Sequence, residues 1–341
     1  MSNIGVGVIG TGILGDVHAR VFHRLSEVDL VSVCDLDEDR ARSISEKYQA
    51  QTYDTDYQDL LSNPNIQAVS IATPDFAHAE IAIAAAQAGK HILCEKPLAT
   101  TVAEAEAIVQ AVQVAGVKLM VDFHNRVNPA IVSAKQSIDA GELGKLSYGY
   151  ARLSNTTFVP QEMLSWGAKT SALWFLGSHT VDAMRFLLQD EVHRVYAVTR
   201  SGILKGKGVD TQDFHIAIAE FSQGTVVTFE NAWILPRSQP SVFDFKVEIL
   251  GSEGAVYLDP SHNGAVKKHT SNKLVFGDVT GHTPTSNFRV GGFIQESIAQ
   301  FVDAIVHDSP VLASSADGLA VTRILSAIVE SAQTGQPVDL Y

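Results

Sequence analysis

The chain has 341 residues, 45% hydrophobic and 18% charged, an ordinary globular composition with enough length for two domains. Its 38 acidic and 25 basic residues leave a formal charge of -13, which repels polyanions at long range and argues against nucleic acid or an anionic membrane as partner. Cys34 and Cys94 lie in separate apolar runs, where buried reduced thiols are expected, and with no basic leader and no membrane-length apolar stretch a cytoplasmic setting is expected.

From residue 1 to about 125, short apolar runs alternate with segments of helical period. The runs Ile4 to Ile9, Leu30 to Cys34, Ala68 to Ala72, His91 to Cys94 and Val117 to Val121 carry too little polar alternation to be half-exposed, so buried parallel strands are predicted. Helices are predicted over Leu14 to Leu25, Glu38 to Tyr48, Phe76 to Ala88 and Val102 to Ala115, the last opened by Thr101 and Glu104 as a capping box. This alternation predicts an α/β domain, a doubly wound parallel Rossmann sheet, over 1–125. Beyond it come long β-branched and aromatic runs such as "DFHIAIAEF" and "FKVEILG", joined by glycine-containing turns. An α+β domain with a large, mostly antiparallel sheet is therefore predicted over 126–341, with helices near Leu173 to Leu188, Phe293 to His307 and Asp317 to Gln333.

The segment "VGVIGTGILGDVHARVF" places Gly10, Gly12 and Gly15 between the first strand and the first helix. In a dinucleotide-binding loop Gly10 permits the tight turn, Gly12 admits a pyrophosphate close to the backbone, and Gly15 lets helix and strand pack closely. The amides at the helix start, around Ile13 and Leu14, then face the phosphates. Asp35 ends the next strand, twenty residues past Gly15, where a carboxylate accepts hydrogen bonds from a ribose diol and opposes a 2'-phosphate. No Lys or Arg directly follows it, although Arg40 and Arg42 lie further along the helix, so NAD is favoured over NADP. A structural turn that binds nothing is the alternative reading.

Two further strand ends carry polar groups. "IATPDFAHAE" puts Thr73 and Pro74 at the carboxyl edge and His78 on the following helix, and "AGKHILCEKPLATT" ends a strand in Glu95-Lys96-Pro97. These segments, with "GTGILG", "NRVNP" from Asn125 and "GSHTVDAMRFL", resemble the glucose-fructose oxidoreductase, inositol dehydrogenase and rhizopine-catabolism family, abbreviated Gfo/Idh/MocA. The resemblance covers nearly the whole chain and is most specific at Glu95-Lys96-Pro97. It implies that Thr73, Pro74, His78 and Glu95 serve the cofactor, and that Lys96 lies between the nicotinamide ribose and the substrate hydroxyl with a cis bond to Pro97. An ammonium there stabilises a developing alkoxide. Asn125 and Arg126 are implied near the nicotinamide end of the cleft, with an interdomain hydrogen bond as the plainer alternative.

In "SALWFLGSHTVDAMRFLL", His179 and Asp182 share one helical face while Leu176, Ala183 and Phe186 can face the core. The resemblance makes His179 the acid/base of a polyol dehydrogenase, a role for which its ordinary pKa suits it. Family members commonly carry an Asp four residues earlier; here Phe175 stands in that place. Orientation of His179 by Asp182 or a backbone carbonyl, a larger share of proton transfer for Lys96, or lost or altered activity are the readings left open. Trp174 and Phe175 also make the pocket wall more apolar than a plain polyol site needs. Trp166 and Lys169 lie in "EMLSWGAKTS", a loop that either covers substrate or is simply surface.

The expected function is an NAD-dependent oxidoreductase moving hydride between nicotinamide and a sugar, polyol or related hydroxyl or carbonyl compound. Lys96 polarises the oxygen, His179 takes the proton, and Asp182 holds substrate or imidazole. The rivals are an NAD-retaining enzyme that breaks glycosidic bonds through transient oxidation, and a non-catalytic dinucleotide sensor. The twelve histidines show no metal-ligand spacing, so no metal is expected. The second domain's alternating strands have few helices to cover them, so a homodimer or homotetramer is expected.

Overall fold

The uniformly apolar runs of the first half do pair in parallel. In the computed structural model, which describes residues 3–261, 267–271, 274–276, 280–281 and 291–340, strands β1 (Ile4–Ile9), β2 (Val28–Cys34), β3 (Thr52–Asp54), β4 (Ala68–Ile71), β5 (His91–Cys94) and β6 (Leu119–Val121) form one sheet in the order β3-β2-β1-β4-β5-β6. This is the Rossmann order, reversing direction between β1 and β4. Helices α1 (Ile13–Arg24), α2 (Glu38–Tyr48), α3 (Tyr57–Ser62), α4 (His78–Gln87) and α5 (Val102–Ala115) lie in the crossovers. The Asp37 and Asp56 side chains accept from backbone amides at the starts of α2 and α3, and Thr101 and Glu104 form the expected cap of α5. β3 and α3 are too short and polar to show in the periodicity.

Register across the sheet places its carboxyl edge. Ile9 is level with both Cys34 and Ile71, Ile71 with Cys94, and Cys94 with Val121. The residues that follow, Asp35, Gly10, Ala72, Glu95 and Asp122, therefore form one row. Ligands of open α/β sheets bind beyond such a row.

The chain divides into two compact units, 1–124 with 281–320, and 125–280 with 321–341. The return of the chain is a correction to a division at residue 125. It follows from helix α8 (Phe293–Val306), whose Ile298, Phe301 and Val302 are buried with Val6, Val8, Phe22 and Leu93 in the first unit's core. Linear sequence carries no mark of which core an amphipathic helix completes.

In the second unit, helix α6 (Pro129–Asp139) precedes β7 (Leu146–Asn155), and α7 (Ser178–Leu188) precedes β8 (Val192–Arg200), β9 (Phe214–Phe221), β10 (Val226–Ala232), β11 (Phe243–Gly251) and β12 (Ala255–Leu258). The sequence reading passed over α6, although Asn128 caps it and Pro129 occupies its first turn, both ordinary helix-start signals. A short hairpin, β13 (Lys267–His269) and β14 (Leu274–Phe276), follows; helix α9 (Ser315–Thr334) and β15 (Val338–Asp339) end the chain. The large sheet runs β12-β11-β7-β10-β9-β8-β15, antiparallel except for the β7/β10 pair.

One face of this sheet packs beneath α7 and α9, where Ser331 Oγ accepts from the Ala197 amide at 2.9 Å. The other face exposes Tyr148, Tyr196, Ile216, Ile218, Val226 and Tyr257. Cys34 and Cys94 are free and buried, and burial first, then nearby carboxylates, push the Cys34 thiol up to about 12. Among the described residues no helix is long and apolar enough to cross a membrane.

Candidate active site

The glycine loop is built by steric exclusion. At Gly10, φ is +86° and an added Cβ would come within 2.7 Å of the Ala72 carbonyl oxygen; at Gly15 it would come within 1.8 Å of the Gly10 oxygen. Neither position admits a side chain. A Cβ on Gly12 meets nothing within 4 Å, so this glycine keeps open the approach to the start of α1, which no side chain caps. Those first amides are where an anion is stabilised.

Asp35 is tied into the same loop. Its Oδ2 accepts from the Thr11 amide at 2.8 Å and hydroxyl at 3.0 Å, and its Oδ1 from the Asp37 amide at 3.0 Å. Arg40 curls back to lie 3.4 Å from the carboxylate. Ile13 at 60% and Leu36 at 94% exposure leave apolar surface beside this loop. The open glycine, the uncapped helix start, the acceptor at Asp35 and a buried Thr73 hydroxyl with no partner among the described residues form a donor and acceptor set that fits a dinucleotide.

Lys96 follows β5 and is buried, joined to Pro97 by a cis peptide bond. His78 braces the two neighbouring strand ends: its Nδ1 lies 2.7 Å from the Pro97 carbonyl and its Nε2 3.0 Å from that of Thr73. Burial pulls the Lys96 ammonium below its ordinary pKa, while the charges of Glu95, Asp75 and Asp122 act to hold the proton on.

Beneath this ammonium lies a buried cluster that sequence spacing did not announce. His18 Nε2 is 3.2 Å from Glu95 Oε1 and 3.8 Å from Asp122 Oδ2, and its Nδ1 is 2.6 Å from Ser70 Oγ. The Ser297 hydroxyl donates to Asp122 Oδ1 at 2.5 Å. Burial pushes the Asp122 carboxyl up, but His124, His18 and this hydroxyl outweigh it and hold the group below the usual carboxylate range. His18, Glu95 and Asp122 bring potential metal-ligand atoms within 4.8 Å of one another, a grouping the expectation of no metal did not foresee. Here His18 hydrogen-bonds to Glu95 and Ser70 and Asp122 accepts from Ser297, while Asp122 Oδ2 has no hydrogen-bond partner among the described residues.

In the second unit, a π-helical turn over Leu173–Gly177 leads into α7, with His179 in its first turn. Such turns recur at functional positions. Asn125 Nδ2 lies 3.4 Å from His179 Nδ1. Asp182 receives a fork from Arg126, Nε to Oδ2 at 3.0 Å and Nη2 to Oδ1 at 2.7 Å, with both residues buried. Asp182 is thus neutralised by Arg126, a pairing that residue order did not reveal. Phe186, expected in the core, is instead half-buried under the Arg126 guanidinium, 5.4 Å from ring centre, while Leu176 and Ala183 are buried.

Trp166 and Lys169 flank a short 3-10 turn, Lys169 exposed and Trp166 half-buried. The Trp166 ring lies 6.1 Å from that of Phe175, which in turn lies 5.8 Å from Trp233.

Residues 4–123 match the family model described as "Oxidoreductase family, NAD-binding Rossmann fold", and 131–257 match "GFO/IDH/MocA C-terminal domain". The chain belongs to the Gfo/Idh/MocA oxidoreductases. This Gfo/Idh/MocA chain is 29% identical to levoglucosan dehydrogenase of Pseudarthrobacter phenanthrenivorans, over 100% of its own length and 99% of the relative's. It is also 29% identical to inositol 2-dehydrogenase 3 of Saccharopolyspora erythraea, over 99% and 95% of the two chains. A solved structure of GenD2 from gentamicin A biosynthesis in complex with NAD superposes with a TM-score of 0.86 at 26% identity, covering 99% of this chain and 97% of the other.

Sequence reasoning named the glycines, Asp35 and Lys96 of this Gfo/Idh/MocA protein but missed His18 and Asp122. His18 was visible as a polar residue on the apolar face of α1. Trp233, against Phe175, gave no local signal, because it sits in a segment that reads simply as strand.

Proposed function

We propose that the protein is an NAD-dependent dehydrogenase acting on a CH–OH group of a sugar, polyol or related compound. The observation that carries this reading is Lys96, a buried amine on the same sheet edge as the glycine loop, whose pKa burial lowers against the opposing pull of three carboxylates. The dehydrogenase names of the relatives support the substrate class. Bound NAD would supply the hydride acceptor.

The chain's own groups then have distinct tasks. The amides from Gly12 to Gly15, with Ile13 and Leu14 between them, bind the diphosphate, and Asp35 accepts from the adenosine ribose. Thr73, Pro74, His78 and Glu95 shape the nicotinamide end. Lys96 donates to the substrate oxygen and stabilises alkoxide character as the carbon is oxidised. His179, braced by Asn125, receives the hydroxyl proton. The Arg126–Asp182 fork holds α7 in place and presents its outer edge to substrate, with Trp166 and Lys169 as further substrate contacts. In this reading the unit of 1–124 with 281–320 binds the dinucleotide, and the unit of 125–280 with 321–341 binds substrate and self-associates. The exposed apolar face from Tyr148 to Tyr257 supports a homodimer or homotetramer, and the reduced buried cysteines support a cytoplasmic setting.

Absorbance at 340 nm with a panel of sugars, inositols and their keto forms tests the reading, run with both dinucleotides. Reduction of NAD by at least one hydroxyl compound is expected. No turnover in either direction by a protein that still binds dinucleotide overturns the activity, and a tenfold preference for NADP overturns the role of Asp35.

A further inference from the structure

Helix α1, which the glycine loop opens, carries a histidine on its buried side. His18 is fully buried beside Val17, Val21 and Phe22 and lies edge-on to the Phe22 ring, with centroids 6.5 Å apart. An apolar side chain would fill this place at no polar cost, whereas an imidazole taken out of water needs a partner at each nitrogen. It has both. Nδ1 lies 2.6 Å from Ser70 Oγ on β4, and Nε2 lies 3.2 Å from Glu95 Oε1 at the tip of β5.

The bond to Glu95 has a direction. An ionised carboxylate only accepts, so the hydrogen lies on Nε2, while the Ser70 hydroxyl, which can give or take, answers Nδ1 in either case. The other carboxylate oxygen, Glu95 Oε2, accepts from the Lys96 amide at 3.3 Å. One carboxylate therefore ties the middle of α1 to the backbone of Lys96. Asp122 flanks this junction, its Oδ2 3.8 Å from His18 Nε2 and 3.9 Å from His124 Nδ1, and its Oδ1 accepting from Ser297. Burial lowers the pKa of Lys96, and Glu95 is the strongest of the three opposing carboxylates, ahead of Asp75 and Asp122. Where the Glu95 carboxylate is held, the charge facing the ammonium is held with it.

We infer that His18 is a positioning residue of the dehydrogenase: its Nε2–H fixes the Glu95 carboxylate, and through that carboxylate it fixes where Lys96 presents its amine. The inference rests on the proposed role of Lys96 toward the substrate oxygen. It gives α1 two tasks, because the start of the helix serves the dinucleotide and its middle serves the reacting amine. A histidine that merely packed the helix would affect dinucleotide binding first. One that acts through Glu95 leaves the dinucleotide bound and slows the chemical step, since misplacing a reacting group by about 1 Å costs up to about 100-fold in rate.

The test compares His18→Leu, which keeps apolar volume and removes the donor, with His18→Gln, whose side-chain amide can still donate to Glu95. Affinity for NADH is read from its fluorescence, and kcat at saturating NAD from absorbance at 340 nm with myo-inositol, D-glucose and the rest of the sugar and inositol panel. His18→Leu is expected to lower kcat by about 10- to 100-fold while NADH affinity stays within about threefold, and His18→Gln to recover most of the loss. Crystal structures of the wild type and both variants give a reading that needs no substrate. In His18→Leu the Glu95 carboxylate and Lys96 Nζ should move by about 1 Å or more, and in His18→Gln they should stay within about 0.5 Å of their wild-type places. An unchanged kcat, a loss confined to NADH affinity, a His18→Gln variant no better than His18→Leu, or an undisplaced Lys96 overturns the inference. If the wild type oxidises nothing in the panel, the crystal comparison decides. Should His18→Leu not fold, Glu95→Gln takes its place: its amide nitrogen must meet the donor of either His18 or Lys96, one of the two bonds is lost, and the same displacement and fall in kcat are expected. Turnover by Lys96→Ala sinks the role of Lys96 itself, whereas an inactive Lys96→Ala beside a fully active His18→Leu sinks only that of His18.

Discussion

Around Lys96 buried charges lie beside one another, whereas around Phe175 the wall is built of aromatic rings, Trp166 on one side and Trp233 on the other. Glu95, His18, Asp122, Ser70 and Ser297 close on one another beneath the lysine. Among the described residues Trp233 Nε1 and Asn155 Oδ1 have no hydrogen-bond partner, and neither has Asp122 Oδ2. Buried charges that hold one another fix one geometry and suit the presentation of an ammonium. An aromatic wall offers shape and apolar surface instead.

The sharpest way to break this contrast is at Lys96. Lys96→Ala should lower kcat by about 10³-fold, the scale of a lost electrostatic stabiliser, while dinucleotide affinity measured by NADH fluorescence stays within a few-fold. Turnover above a tenth of wild type would strip Lys96 of its role.

Next in size is the one closed charge pair on the His179 side. Arg126→Met leaves the Asp182 carboxylate buried without its guanidinium, and a loss of about 3 kcal/mol in urea unfolding is expected. Adding Asp182→Leu should recover most of it. If the single and double variants are equally unstable, the fork contributes packing and not charge balance.

The smallest expected effect sharpens the comparison through pH. His215 is buried on β9, and desolvation holds its pKa down to about 4, against an ordinary 6.5. The folded state therefore stays neutral while the unfolded chain takes a proton as pH falls below 6.5. Stability contributed by this burial is intact above that pH, declines below it, and is fully lost near pH 4. Between pH 7 and pH 5 the loss is about 2 kcal/mol. His215→Gln should flatten that portion of the unfolding free-energy curve, whatever its effect at pH 7; an unchanged slope would mean that His215 titrates normally.

Much of the dinucleotide half is legible in sequence because its requirements are local. Gly10 and Gly15 are demanded by contacts of less than 3 Å with backbone a few residues away or on the neighbouring strand end, and Asp35 by its place at the end of β2. α5 is signalled by its own cap, and Lys96 by a motif whose residues are consecutive. The second unit is less legible. The Arg126–Asp182 fork joins residues 56 apart, and the Trp166–Phe175–Trp233 wall joins three segments, none of which carries a mark of the others.

By itself, then, the sequence determined the alternation of buried strands and helices, the glycine loop, the lysine at a strand tip and the antiparallel second sheet, because each rests on periodicity or on contacts within a turn. Only the tertiary structure decided that α8 completes the first core, that Asp182 is neutralised by Arg126, that His18 and Asp122 meet beneath Glu95, and that Trp233 is left with an unanswered N–H. Those outcomes depend on which distant surfaces exclude water from one another, and burial of that kind is a property of the folded chain, with no counterpart in the order of its residues.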